Sequence, residues 1–274
     1  MTEQELIKAA LAEDLAGGVD ITSQATISAD ATATADFTSR MDGVIAGINV
    51  AHAVLSEVGL SDITLAKQDG DRVKAGDVLV TVRGNTRAIL LAERTALNFF
   101  GHLSGIATLT SKWVAEVAGT KCQVRDTRKT TPGMRNIEKY AVRMGGGTNH
   151  RLNLSDAALI KDNHIAAAGG VVPAFAQVRA AYPEAEIEIE VDTLEQLKEV
   201  LTQKPDLVLL DNMSPEQCAQ AVALVNGLCK LEASGGISIA NARTYAQSGV
   251  DYIAIGALTH SAPVFDIGLD LRAE

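Results

Sequence analysis

Two rhythms of apolar and polar positions run along this chain, and they change over near residue 105. Before that point, short segments alternate with period two, as in ATATADFTSRMDGVIAG from Ala31 and ITLAKQDGDRVKAGDVLVTVRG from Ile63, with Gly70, Gly76 and Gly84 punctuating the second. Alternation bounded by glycine turns predicts strands, and the second segment reads as a small β-sandwich layer. Residues 48–58 and 86–100 carry helical spacing, and so does the start, where Leu6, Ala9, Ala10 and Leu11 share a face among acids. The N-terminal part is thus expected to be α+β, with helices on one face of a sheet.

Beyond residue 105 the pattern becomes strand, turn, helix, repeated. Apolar or alternating runs stand at residues 121–125, 157–160, 185–191, 207–210, 231–233 and 252–255, with amphipathic stretches between them. Their separation, roughly 20 to 35 residues, suits βα units of a parallel barrel. Six runs are too few for a closed eight-stranded barrel, so the expected fold class is α/β, with an N-terminal α/β (α+β) sandwich and an incomplete, open barrel of TIM-like type. An open doubly wound sheet is the alternative, and it too gathers ligands at the carboxyl ends of its strands. The tail FDIGLDLRAE alternates Phe265, Ile267, Leu269 and Leu271, which predicts either a last barrel strand or a return to the first domain. The expected domains are 1–105, joined by 264–274, and 106–263.

Composition narrows the partners. The 274 residues carry a net charge of −10 and only 4% aromatic residues, which leaves neither a basic stripe nor a stacking platform for nucleic acid. The longest charge-free run, Thr95 to Ser111, is broken by Asn98, Gly101, His102, Ser104 and Gly105, so no membrane span is expected. The start reads as a helix and not a signal peptide. Three cysteines without a CxxC pair suit a reducing, cytoplasmic setting.

Against this acidic background, residues 126–165 concentrate Arg128, Lys129, Arg135, Lys139, Arg143, His150, Arg151, Lys161 and His164. Arginine offers a planar fork and lysine a compact charge, so such a mixture suits a small ligand with several anionic groups. Arg128, Lys129, Arg151 and Lys161 are the leading candidates. Lys139 and Arg143 lie four apart on a predicted helix, 135–144, and are expected on a solvated ion-pair face. Gly145, Gly146 and Gly147 follow, the first as a helix stop, and bring Asn149, His150 and Arg151 close to a ligand. His150 and His164 lack a third His or Cys at metal-ligand spacing, and His150 is assigned a hydrogen bond near the substrate. Glu190 and Asp211 end successive strands, and such carboxylates hold Mg²⁺ together with water and phosphate oxygens. Ser234, Gly235, Gly236, Gly256 and Ala257 follow the last two strands, where bare backbone amides form a phosphate cradle.

Taken together, DTRKTTPG, GGGTNHR, LIKDNHI and ERTALNFFGHLSGIAT, with the later EVD, DN and SGGI strand ends, closely resemble the quinolinate phosphoribosyltransferase family over nearly the whole chain. The resemblance implies a sandwich domain with an incomplete α/β barrel. It also implies Mg²⁺-dependent transfer from phosphoribosyl pyrophosphate to quinolinate, with loss of CO₂, giving nicotinate mononucleotide for NAD synthesis. It further implies that Arg128, His150, Arg151 and Lys161, with Thr127 and Lys129, hold the dicarboxylate. Glu190 and Asp211 serve ribose and Mg²⁺, and Ser234 to Gly236 with Gly256 and Ala257 hold the 5-phosphate. Lys129, Lys161, Glu190 and Asp211 are the catalytic candidates. In this family a partner subunit completes the site with an arginine, here Arg94, so a homodimer is implied. Three other readings fit less of the chain. Molybdenum-transport-associated relatives share the DTRKT and HRL patterns but resemble it less around KDNH. A non-catalytic anion-binding protein leaves the Mg²⁺-suited acids without a use, and a barrel lyase would use Lys161 as a Schiff-base nucleophile.

Overall fold

The computed structural model describes residues 2–273; Met1 and Glu274, the outer ends of the expected domains, lie outside the described residues. The first half of the chain runs α1 (Glu3–Leu15), α2 (Ile21–Thr26), β1 (Thr32–Ser39), β2 (Gly43–Val44), α3 (Ile48–Glu57), β3 (Asp62–Leu65), β4 (Arg72–Val73), β5 (Val78–Asn85) and α4 (Thr86–Val117). The second half runs β6 (Gln123–Arg125), α5 (Arg135–Met144), β7 (Ala158–Ile160), α6 (Asp162–Ala168), α7 (Val171–Ala181), β8 (Ile187–Val191), α8 (Leu194–Leu201), β9 (Leu207–Asp211), α9 (Pro215–Val225), β10 (Lys230–Ser234), α10 (Ile239–Gln247), β11 (Tyr252–Ala254), α11 (Ala257–His260) and β12 (Ile267–Ala273). The chain forms two compact units. One takes the chain up to Ser111, Thr130–Gly146 and the chain from Leu258 on; the other takes Lys112–Lys129 and Gly147–Ala257. Residue 105, where the rhythm changes, lies inside α4, which continues well past Phe100.

The first unit is built on an antiparallel sheet ordered β12-β1-β5-β3, with a separate β2-β4 pair. The alternating tail therefore returns to this sheet: β12 pairs with β1 from Ser39↔Ile267 to Ala33↔Ala273. Phe37, Ile45, Leu55, Leu79, Phe100 and Leu103 are fully buried in this unit. Helix α1 starts at a capping box, in which Thr2 and Glu5 satisfy each other's backbone donors. Helix α5 departs from expectation. Its Arg143 is exposed, but Lys139 and its neighbour Glu138 are fully buried, so the predicted solvated face is wrong for Lys139. At Glu138 the helix is covered by α4 and the preceding turn: His102 Nε2 lies 2.8 Å from its carboxylate, which also accepts from the Thr131 amide at 3.1 Å. The close approach requires glycine at 145, because a Cβ there would stand 2.4 Å from the Ala107 carbonyl oxygen. Gly145 caps α5 in right-handed geometry, and Gly146, at φ +88°, makes the left-handed turn.

The second unit carries a six-stranded parallel sheet ordered β6-β11-β10-β9-β8-β7. Its outermost strands, β6 and β7, do not pair with each other, so the barrel stays open as expected. Strand β8 shows how the sheet is covered on both faces. Its residues Ile187, Ile189 and Val191 pack towards α7 and α8, while Glu188 and Glu190 alternate onto the inner face; all five are buried. Among the described residues, no helix is long and apolar enough to cross a membrane. All three cysteines are free, and burial pushes the Cys122 thiol up to about 12 and those of Cys218 and Cys229 to about 11.

Candidate active site

Strand register collects the charged residues of the second unit. Registered partners in a parallel pair share a face, and steps of two along a strand keep it. One row reads Asp211, Ser234, Ala254, Arg125, and the row beneath reads Glu190, Leu209, Glu232, Tyr252. Leu159 registers with Glu188 still deeper, which puts Lys161, one step beyond β7, on the same inner face. The carboxyl ends of the strands thus present Arg125, Lys161, Glu190, Asp211 and Ser234 together.

The loop after β6 supplies Thr127, Arg128 and Lys129, and Thr127 Oγ1 accepts the Lys129 amide at 3.0 Å, which shapes the turn. A second segment crosses beside it. Thr148 donates to the Val124 carbonyl at 2.8 Å and forms a parallel bridge with Arg125. Fully buried Asp126 then anchors the next two residues, accepting the Asn149 side-chain amide and the His150 backbone amide, the latter at 2.9 Å. This places Arg151, whose guanidinium donates to the Ala157 carbonyl at 2.8 Å. Burial, and then the neighbouring Arg128 charge, pull the Arg151 guanidinium below its ordinary range. Two arginines held within electrostatic reach in partial burial are costly by themselves and are offset by an anion of matching charge.

Opposite them, Lys161 Nζ donates to Glu190 at 2.8 Å; the lysine is half-exposed and the glutamate buried. Burial raises the Asp211 carboxyl, and the charges of Glu190 and Asp192 add to the shift. Glu190 and Asp211 therefore lie within electrostatic reach of each other. His164 acts locally, its Nδ1 accepting the Lys161 amide at 3.0 Å at the start of α6.

Three residues were not singled out in the sequence: Arg125, at the strand ends, and Glu188 and Glu232 beneath them. Arg125 Nη1 bonds Glu232 at 2.8 Å and its guanidinium stacks 4.2 Å from the Tyr252 ring centre. His150 Nε2 lies 2.7 Å from Glu188 and 3.6 Å from Glu232. Burial pushes both carboxyls up from 4.5 to about 7, Glu188 adding to the shift at Glu232. Arg125 opposes the rise at each, but one guanidinium serves two buried acids, so the direction stands. A carboxyl with a raised folded pKa takes up protons on folding, so its stabilisation is present below about pH 4.5 and is lost as pH climbs to about 7. Glu232→Gln is therefore predicted to flatten the fall of Tm between about pH 5 and pH 7.5, whatever it does to Tm itself. An unchanged slope in thermal unfolding across that range would contradict it.

After β10, Gly235 and Gly236 turn in left-handed geometry, at φ +87° and +65°, ahead of α10. A Cβ on Gly235 would meet the Asn212 side-chain oxygen at 2.1 Å, so glycine is required for the turn to close on the loop after β9. Gly256 and Ala257 follow β11, but α11 has only four residues and offers little dipole. Arg94 is exposed on α4 in the first unit.

An open parallel barrel with cations, paired acids and glycine turns at its strand ends defines an enzyme that handles a small, multiply charged anion. Two family models cover the chain: the quinolinate phosphoribosyl transferase N-terminal domain matches residues 20–104 and the C-terminal domain matches residues 106–270. The chain belongs to the quinolinate phosphoribosyltransferase family, whose members are decarboxylating pentosyltransferases. It is 52% identical to the nicotinate-nucleotide pyrophosphorylase (carboxylating) of Mycobacterium leprae, covering 98% of this chain and 96% of the relative. It is 39% identical to the probable enzyme of that name from Bacillus subtilis, covering 98% and 93%. The crystal structure of nicotinate-nucleotide pyrophosphorylase from Ehrlichia chaffeensis superposes with a TM-score of 0.95 at 40% identity, covering 99% of each chain.

Proposed function

We propose that this protein transfers the phosphoribosyl group of phosphoribosyl pyrophosphate to quinolinate, releasing pyrophosphate and CO₂ and giving nicotinate mononucleotide for NAD synthesis. The observation that carries the reading is half-buried Arg151, whose guanidinium is pulled down by burial and then by the neighbouring Arg128 charge, in the same unit as Lys161. Such a group suits two adjacent carboxylates on a planar ring. Charge-assisted hydrogen bonds contribute on the order of 1.5 to 3 kcal/mol each, so a few of them offset the desolvation of a dicarboxylate.

In this reading Arg128, Lys129, Arg151 and Lys161 hold the ring so that its nitrogen faces the anomeric carbon, and positioning supplies much of the acceleration. The nitrogen lone pair forms the bond to the anomeric carbon, and the bond to pyrophosphate breaks with its electron pair leaving on oxygen. Positive charge developing on the ribosyl centre is stabilised by Glu190 and Asp211. The ring nitrogen, now cationic, accepts the electron pair when the adjacent carboxylate departs as CO₂, and a proton replaces it at that carbon. The turns at Ser234 to Gly236 and at Gly256 to Ala257 hold the 5-phosphate through backbone amides. Mg²⁺ fits the acids at Glu190 and Asp211, because burial and then the Glu190 charge raise Asp211, and a divalent cation offsets both. When bound there, it would neutralise charge on the departing pyrophosphate. A homodimer in which Arg94 serves the neighbouring site, and a cytoplasmic setting for three free thiols, complete the reading.

The test is release of pyrophosphate and CO₂ from phosphoribosyl pyrophosphate with quinolinate or with nicotinate, with and without Mg²⁺. Equal release of both products with quinolinate alone supports the reading, and dependence on Mg²⁺ supports the metal. Turnover with nicotinate, or none with either acid in folded dimeric protein, overturns it.

A further inference from the structure

The His150 ring is engaged at both nitrogens. Its Nδ1 accepts the Arg151 backbone amide at 2.7 Å, and an accepting Nδ1 leaves the proton on Nε2, which lies 2.7 Å from Glu188. Glu188 and Glu232 are buried, and each has one carboxylate oxygen, Oε1, without a hydrogen-bond partner. Their other oxygens are taken by His150 and Arg125 respectively. Arg125 is clamped in turn by Glu232 and the Tyr252 ring. A continuous set of contacts therefore leads from strands β6, β8, β10 and β11 through one imidazole to the backbone of Arg151. On the other side, Asp126 holds the His150 amide, which fixes the backbone from which the ring projects.

We infer that Glu188 and Glu232 are positioning residues: together with Arg125 they hold the His150 ring in its Nε2–H form, and through that ring they set the place of Arg151. His150 then acts by carrying Arg151 and does not offer a ring nitrogen to the dicarboxylate. Buried carboxylates are costly when partly unpaired, and they are retained here because they fix an imidazole that a neutral apolar floor would leave free to rotate. This assignment rests on the proposed function only for the identity of the anion that Arg151 meets.

The Nε2–H form is read directly by ¹⁵N NMR of histidine-labelled full-length protein at about pH 8. A signal for His150 with unprotonated Nδ1 and protonated Nε2 is expected; an Nδ1–H form or an imidazolium overturns the inference. Two variants then separate positioning from general structure. Glu188→Gln keeps an acceptor for Nε2–H and is expected to hold the quinolinate KM within about threefold, whereas Glu188→Met removes it and is expected to raise that KM roughly tenfold or more. The KM for phosphoribosyl pyrophosphate is expected to stay within about twofold in both. Equal effects of Gln and Met, or equal shifts in both KM values, overturn positioning. If wild-type protein does not turn over quinolinate, the functional reading fails by itself. Calorimetric binding of phthalate, an adjacent dicarboxylate without a ring nitrogen, then tests the same contrast: weaker binding to the Met variant than to the Gln variant supports positioning, and equal binding overturns it.

Discussion

Lys161→Ala is expected to lower kcat/KM for quinolinate by a factor of about 10² or more with the fold intact. The lysine places its charge 2.8 Å from buried Glu190, and that charge also offsets Asp211 and Glu188. Removing it leaves three acids without that countercharge, which under the proposed function opposes an anionic substrate. Truncating one partner of a buried charged pair costs roughly 2 to 5 kcal/mol, and tenfold in rate corresponds to about 1.4 kcal/mol, which sets the size of the effect. The side chain is half-exposed, so the lower part of that range applies to stability. Lys161→Arg should recover part of the binding and little of the turnover, because the longer planar fork cannot keep both Glu190 and the substrate in place. Steady-state kinetics with both substrates and thermal unfolding check this; an unchanged kcat/KM would remove Lys161 from the site.

Arg94→Ala is expected to abolish activity although Arg94 lies in the unit that carries none of the strand-end cations. Under the shared-site proposal, each active site takes this arginine from the neighbouring subunit. Mixing inactive Arg94→Ala protein with inactive Lys161→Ala protein then creates heterodimers in which one site has lost both groups and the other has lost neither. In a two-fold symmetric dimer, random exchange makes about half the dimers mixed, so recovery should approach about a quarter of the wild-type sites. Activity measured after subunit exchange, itself verified by mass spectrometry of differently tagged chains, decides the matter. No recovery in demonstrated heterodimers would sink the shared arginine, and full activity of Arg94→Ala alone would remove it from the mechanism.

Local pattern determined much of this protein. Six apolar runs became the six strands of the parallel sheet, and the candidates Lys161, Glu190, Asp211, Ser234 and Gly256 stand within two residues of the ends of five of them. This was legible because strand periodicity and glycine turns are short-range properties, and a parallel barrel puts strand ends on one face whatever its closure. The return of the tail to the first sheet was one of two open options. Its alternation specified a strand but not the edge it would join, and pairing with β1 is a long-range choice.

The buried charges were decided only in three dimensions. In EIEIEVD the sequence marks only Glu190 as a candidate, yet Glu188 is buried among the isoleucines beside it. The signal that was available is the placement of such a strand within a run of barrel strands, where both faces are covered. Glu232 and Arg125 have no distinguishing neighbour in sequence, and their roles exist only because register sets β10 beside β11 and β11 beside β6. Lys139 shows the same limit in a helix: spacing of four from Arg143 assigned it to a charged face, and it is fully buried. Sequence by itself determined which strands form and which groups stand at their ends, because those depend on neighbours a few residues away. Which charges lose their water, and so shift, pair and hold others in place, was decided by tertiary packing, because desolvation depends on elements far apart in the chain.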